Sequence, residues 1–137
     1  MALTHLVDTS VLTRLSEPSV RRALEPLAAS ASVARAGISD LEVGYSARTA
    51  REWDSLHQAL DAFPLIETDS GHVRRARQVQ RLLAARSQRG RKIPDLLVAA
   101  AGEEAGLTVL HYDSDFDRIS SVTGQSCQWV VPAGSID

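Results

Sequence analysis

Short apolar runs alternate with longer segments of helical period along this 137-residue chain. Leu3 to Val7 reads as a buried strand, and Thr9 to Leu15 turns into a helix. Pro18 opens a helix running to about Ala29, since proline at the first helical position loses no hydrogen bond. Ala31 to Arg35 is a second strand candidate, followed by a turn at Gly37 and a helix from Ser39 to about Ala47. Another helix spans Ala50 to Ala62, with Trp53, Leu56 and Leu60 at helical spacing. Leu65 to Thr68 is a short strand. Asp69 or Ser70 then caps a long helix whose stripe of Val73, Ala76, Val79, Leu82 and Leu83 should pack inward, with Gly90 ending it. Pro94 starts a helix that Gly106 stops near Ala105. Leu107 to His111 is a strand, Ser114 to Val122 a short helix, and Trp129 to Val131 a last strand closed by Pro132. Strands alternating with helices imply a parallel sheet with right-handed crossovers, and so an α/β protein of three α/β/α layers. There is no internal repeat or linker, and the length suits one domain over residues 1–137.

Four acids fall where this pattern gathers ligand-binding groups. Asp8 closes His5-Leu6-Val7, Glu42 follows Ile38-Ser39-Asp40-Leu41, Asp95 follows Ile93-Pro94, and Asp113 follows Val109-Leu110-His111-Tyr112. Each lies at a strand end or in a first helical turn, positions that meet at the carboxyl edge of the sheet. Acids collected there repel one another, and a divalent cation is their natural partner. Oxygen-only ligands favour Mg²⁺, with Mn²⁺ as the alternative. Local roles compete with ligation. Asp8 can cap the following helix, a role compatible with ligation, and Ser10 can hydrogen-bond its carboxylate. Ser39-x-x-Glu42 matches a capping box. Asp95 can complement a helix dipole, but six apolar residues follow it, and a carboxylate at a buried helix start needs a partner. Asp113 can cap the next helix. Asp115 is a further ligand candidate, while Asp117 is expected to face solvent or pair with Arg118. The run Asp113-x-Asp115-x-Asp117 is no calcium loop, because Arg118 and Gly124 stand where that loop needs Gly and Glu.

Charge sharpens the picture. A net charge of −2 argues against generic nucleic-acid affinity. Yet the acid-free stretch from Ser70 to Pro94 holds Arg74, Arg75, Arg77, Arg81, Arg86, Arg89, Arg91 and Lys92, eight of the fifteen Lys and Arg. It carries +8 and leaves the remainder at −10. A basic segment beside an acidic pocket suits a polyanion held by arginine and cut at the metal, although a solvated helix face would look the same. The lone Cys127 rules out an internal disulfide framework and any cysteine-based zinc site, and is read as a buried thiol rather than a nucleophile. The four histidines form no ligand set, and His5 and His111 are read as structural. The opening MALTHLVDTS lacks a secretory leader's basic and apolar regions, and no apolar run approaches the ~20 residues of a membrane span, so a cytoplasmic protein is expected.

Four segments taken together resemble the PIN-domain ribonucleases, specifically the VapC toxins of type II toxin–antitoxin pairs. They are Leu6-Val7-Asp8-Thr9-Ser10, Ile38-Ser39-Asp40-Leu41-Glu42-Val43-Gly44, Lys92-Ile93-Pro94-Asp95-Leu96-Leu97-Val98-Ala99-Ala100 and His111-Tyr112-Asp113-Ser114-Asp115-Phe116-Asp117-Arg118-Ile119. The resemblance implies an α/β/α sandwich with Asp8, Glu42, Asp95 and Asp113 as the catalytic acids and Asp115 as an outer or additional ligand. Many members of that family carry Asn or another polar residue at the Asp113 position. It also implies a homodimer, a VapB-type antitoxin that blocks the site, and cleavage of a structured cellular RNA. One or two Mg²⁺ ions on Asp8 and Asp95, with Glu42 and Asp113 acting directly or through water, would support in-line attack by water. That attack leaves a 5′-phosphate and a 3′-hydroxyl. A catalytically silent PIN-fold module that binds RNA or antitoxin is the alternative. A phosphatase with Asp8 as nucleophile fits less well, since Ser10 stands where such chemistry wants a second Asp.

Overall fold

The computed structural model describes residues 2–88 and 92–137. Five strands form one sheet, all parallel: β1 (His5–Val7), β2 (Val33–Ala36), β3 (Leu65–Ile66), β4 (Thr108–His111) and β5 (Cys127–Trp129). Their order is β3-β2-β1-β4-β5. The chain therefore lays β2 and β3 on one side of β1 and then returns to place β4 and β5 on the other. Leu6 pairs with both Ala34 and Val109, so β1 is the central strand, with β2 on one side, and the returning chain sets β1 beside β4. The order reverses between these two strands, and that leaves a crevice beyond their carboxyl ends.

The strands between them bury both faces, as the expected parallel sheet requires. Successive side chains alternate sides. Leu6 and Val109 pack with Ala76, Val79 and Leu83 of α5 (Ser70–Ala85), Leu96 to Ala99 and Ala101 of α6 (Ile93–Ala105), and Phe116 and Ile119 of α7 (Asp115–Thr123). Val7 and Leu110 pack the other way, against Val11 and Leu12 of α1 (Thr9–Leu12), Val20 and Leu24 of α2 (Pro18–Ala29), Val43 of α3 (Gly37–Tyr45) and Leu60 of α4 (Ala50–Leu60). Gly102 lets α6 approach β4. A methyl there would stand 2.7 Å from Val109 Cγ2.

Several boundaries differ from the sequence reading, each for a local reason. The strand expected from Ala31 starts at Val33, because Ala31 has φ 55° and forms part of the cap of α2. Ser32 N–H donates to Leu27 O and Ala31 N–H to Ala28 O, the two bonds of a Schellman motif. Helix α5 stops the same way at Ser87 (φ 54°), with Gln88 N–H donating to Leu83 O. It thus ends before Gly90, which lies outside the described residues. Within α5, Ala76, Val79 and Leu83 are buried as expected, but Val73 and Leu82 are 48% and 37% exposed. The last strand begins two residues early at Cys127, which pairs with Val109, and Val131 lies beyond it.

Helix α3 starts at Gly37 rather than Ser39, so the Ser39–Glu42 capping box does not form. Ala36 is the cap residue and both side chains point elsewhere. Among the described residues no helix is long and apolar enough to cross a membrane.

Candidate active site

Asp8 leaves β1 where the sheet ends. Its N–H donates to Leu110 O (2.9 Å), extending the ladder to β4 by one rung. Its Oδ2 accepts from Ser10 N–H (2.9 Å) and Ser10 Oγ (2.6 Å), so it caps α1. Ser10 Oγ in turn accepts from Tyr112 N–H (2.9 Å), tying the ends of β1 and β4 together. With Oδ2 held, Oδ1 is buried and has no hydrogen-bond partner among the described residues. Burial pushes the Asp8 carboxyl up to about 6; the Ser10 bonds pull down, and the Glu42 charge pushes up again.

Asp95 lies in the first turn of α6 and is only 6% exposed. Its Oδ2 is likewise buried without a hydrogen-bond partner among the described residues, with Lys92 Nζ 3.6 Å away. Burial, then the charges of Asp8, Asp113 and Asp115, push its carboxyl up to about 8, and Lys92 offsets part of this. Asp113 follows β4 and is half-buried. Its Oδ1 accepts from Asp115 N–H (2.9 Å) and its Oδ2 from Lys92 Nζ (2.7 Å). Burial opposes its charge, but these donors outweigh it and hold the group below the usual carboxylate range. Ser114, not Asp113, is the cap residue of α7. Asp115 pairs with Arg118 Nη1 (2.7 Å). Asp117, expected to face solvent or pair with Arg118, instead accepts from Trp129 Nε1 (3.1 and 3.3 Å); Arg118 is engaged by Asp115 one turn earlier.

The structure brings Asp95, Asp113 and Asp115 into one group, each offering an oxygen within 4.8 Å of the others. Asp8 and Glu42 are not part of that tight group. Asp8 raises Asp95 through its charge, and Glu42 does the same to Asp8. Glu42 Oε1 accepts from Thr9 Oγ1 (2.6 Å), whose oxygen also lies 2.9 Å from the hydroxyl of buried Ser39 and can accept from it. The Thr9 bridge between α1 and α3 was not foreseen, although it stands inside the Asp8-Thr9-Ser10 segment. His111, read as structural, is fully buried and stacks on Phe116 (4.9 Å). Its Nδ1 accepts from Asp113 N–H (3.2 Å), so Nε2 carries the proton and burial lowers its affinity for a second. Burial, followed by the charges of Asp117 and Asp8, pushes the Cys127 thiol up to about 12, so it stays protonated at neutral pH.

The basic segment divides. Arg74, Arg77 and Arg81 are exposed on α5 and, with Gln78 and Gln80, line a shallow concavity. Arg75 is committed to Glu103 by two bonds (2.6 and 3.1 Å), and Arg86 donates to Ser121 O (3.4 Å). Arg89 and Arg91 lie outside the described residues. Lys92, grouped with the backbone-holding cations by sequence, sits on the acids instead. A second group, Asp69, His72 and Glu104, is internally satisfied: His72 Nδ1 accepts from Asp69 N–H (3.2 Å), and Nε2 bonds Glu104 (3.2 Å).

A parallel sheet with acids collected at its switch point, two of them with buried oxygens lacking a hydrogen bond among the described residues, defines an α/β protein with an oxygen-lined site compatible with a divalent cation. The donor set fits Mg²⁺ or Mn²⁺ and offers no sulfur or available imidazole. The PIN domain profile matches residues 5–122, and the chain belongs to the PIN-domain family, among its VapC ribonucleases. It is 69% identical over 137 residues to Ribonuclease VapC51 of Mycobacterium tuberculosis, with 100% of each chain covered. It is 40% identical to Ribonuclease VapC21 of the same species, over 98% of this chain and 99% of that one. Solved structures share the fold at low identity. VapBC from Salmonella typhimurium, bound to DNA, superposes with TM-score 0.78 at 15% identity, over 94% of this chain and 99% of that one. VapBC2 from Rickettsia felis, bound to a promoter DNA fragment, gives 0.76 at 17%, over 93% and 98%.

Proposed function

We propose that this protein is a Mg²⁺-dependent endoribonuclease, the toxin of a type II toxin–antitoxin pair, acting on a structured cellular RNA in the cytoplasm. The observation that carries the metal dependence is the pair of bare oxygens, Asp8 Oδ1 and Asp95 Oδ2. A buried carboxylate oxygen without a hydrogen bond is costly, and a bound cation removes that cost. Asp8, Asp95 and Asp113 would hold the ion, with Asp115 and Glu42 adjoining. When bound, it would neutralise the acids, lower the pKa of a water and offset charge at the phosphate.

The chain's own groups set the stage for that chemistry. Ser10 fixes Asp8 Oδ2 and leaves Oδ1 for the site. His111 holds the Asp113 backbone, Arg118 orients Asp115, and Thr9 anchors Glu42. Arg74, Arg77 and Arg81 supply phosphate contacts that position RNA without reading its sequence. Relatives described as VapBC complexes support a VapB-type antitoxin as partner, and a homodimer completes this reading.

The test is cleavage of total cellular RNA by antitoxin-free protein, with Mg²⁺ and with chelator, beside Asp95→Asn. Discrete fragments with 5′-phosphate ends, lost with chelator and with the variant, are expected. Fragments ending in 2′,3′-cyclic phosphate would overturn the water mechanism. No cleavage by folded, Mg²⁺-loaded protein would favour a binding module.

A further inference from the structure

Among the described residues two cations reach the acidic centre: Arg118 engages Asp115 alone, and Lys92 touches all three acids. Lys92 is the cap residue of α6, and its Nζ lies 2.7 Å from Asp113 Oδ2, 3.4 Å from Asp115 Oδ2 and 3.6 Å from Asp95 Oδ2. Its side chain is 59% exposed, so the stem runs in from the rim and only the head engages the acids. Lys92 is also the chain's sole lysine, the other fourteen cations being arginine. The distinction is physical. An ammonium is a compact charge on a flexible stem, able to sit among three carboxylates and to leave again. A guanidinium is a planar fork that would commit to one or two.

We propose that Lys92 is the built-in counter-ion of the acidic centre: its ammonium neutralises Asp95, Asp113 and Asp115 when no metal is bound, withdraws when a divalent ion enters, and thereby sets how tightly the centre holds that ion. This rests on the metal reading above. Three carboxylates with oxygens within 4.8 Å of one another repel strongly, and Lys92 is the ammonium placed to offset all three. It is an incomplete substitute. Its contact to Asp95 is longer than a hydrogen bond, and Asp8 Oδ1 has no hydrogen-bond partner among the described residues. The unmet Asp8 and Asp95 oxygens favour a doubly charged ion over the lysine, while the good contact to Asp113 makes that ion compete. The device keeps the metal-free protein folded and makes metal loading a competition rather than a simple filling.

The experiment is Mn²⁺ binding, followed by the electron paramagnetic resonance of free Mn²⁺ at low ionic strength, on the full antitoxin-free chain. Wild type is compared with Lys92→Met, Lys92→Gln and Lys92→Arg. Removing the charge should tighten Mn²⁺ binding about tenfold in both neutral variants, while Arg should stay within about threefold of wild type. In chelator the neutral variants should melt below wild type and show a larger rise on adding Mn²⁺. A merely structural lysine would lower both melting points and leave the Mn²⁺ affinity unmoved. Equal or weaker Mn²⁺ binding by the folded Met or Gln variant overturns the counter-ion role and leaves the metal reading standing. Absence of Mn²⁺ binding by wild type, matched by Asp95→Asn, overturns both.

Discussion

Replacing Asp95 with Asn should stabilise the metal-free protein at neutral pH and leave it nearly unchanged in acid. The carboxyl titrates near 3.8 when unfolded and near 8 in the native site, where burial and the charges of Asp8, Asp113 and Asp115 disfavour ionisation. Between those values the native state binds more protons than the unfolded state. Stability therefore falls as pH rises from about 4 through about 8. At pH 7 the interval already crossed, at about 1.4 kcal/mol per unit, gives a ceiling of about 4 kcal/mol. Water entering the open edge and proton sharing with neighbours bring the expected gain to about 2 kcal/mol. Asn keeps the shape and cannot ionise, so it escapes the penalty. Urea unfolding in chelator at pH 5, 7 and 8 measures this directly. The variant should exceed wild type by about 2 kcal/mol at pH 7, with the gap closing toward pH 5. Saturating Mg²⁺ should reverse the order, because ligand binding stabilises only the chain that holds it. A variant no more stable than wild type at pH 7 in chelator, with the m-value unchanged, would refute the reasoning.

Thr9→Val removes the donor to Glu42 and the hydroxyl contact to Ser39 while keeping the volume; turnover should fall at least about tenfold with folding stability changed by no more than about 1–2 kcal/mol, read by RNA cleavage and urea unfolding. Joint replacement of Arg74, Arg77 and Arg81 by Gln should weaken RNA binding by Asp95→Asn protein and reduce the slope of log affinity against log salt by about 2–3, measured by filter binding across salt. Ala31→Gly should raise stability by about 0.5–1 kcal/mol, since it relieves a left-handed residue in a helix cap at some cost in unfolded-chain entropy. Gly102→Ala should cost about 1–3 kcal/mol in the same assay, because the added methyl meets Val109.

Much of this protein is written locally. Apolar runs with Pro and Gly at their ends fixed the order of strands and helices, because proline geometry and left-handed glycine caps act within a few residues. The same locality placed Asp8, Asp95 and Asp113 beside strand ends and helix starts. Two of the boundaries that moved, the start of β2 and the end of α5, did so where a non-glycine residue took a glycine's task, as Ala31 and Ser87 do. Nothing in the identity of Ala or Ser signals that, since the strain is accepted for the sake of packing.

The tertiary structure alone decided what each acid faces. The return of the chain to lay β4 beside β1 brings Tyr112 N–H onto Ser10, Asp113 against the start of α6 and Lys92 into the acids. These partners are separated in sequence by 102 residues in one case and 21 in another. Glu42 shows the same limit, since its local capping motif was overridden by a hydroxyl 33 residues away. Residue type and spacing report what a side chain can do. Sheet order, which depends on long-range burial and is invisible to local pattern, determines which oxygen is hydrogen-bonded and which is not.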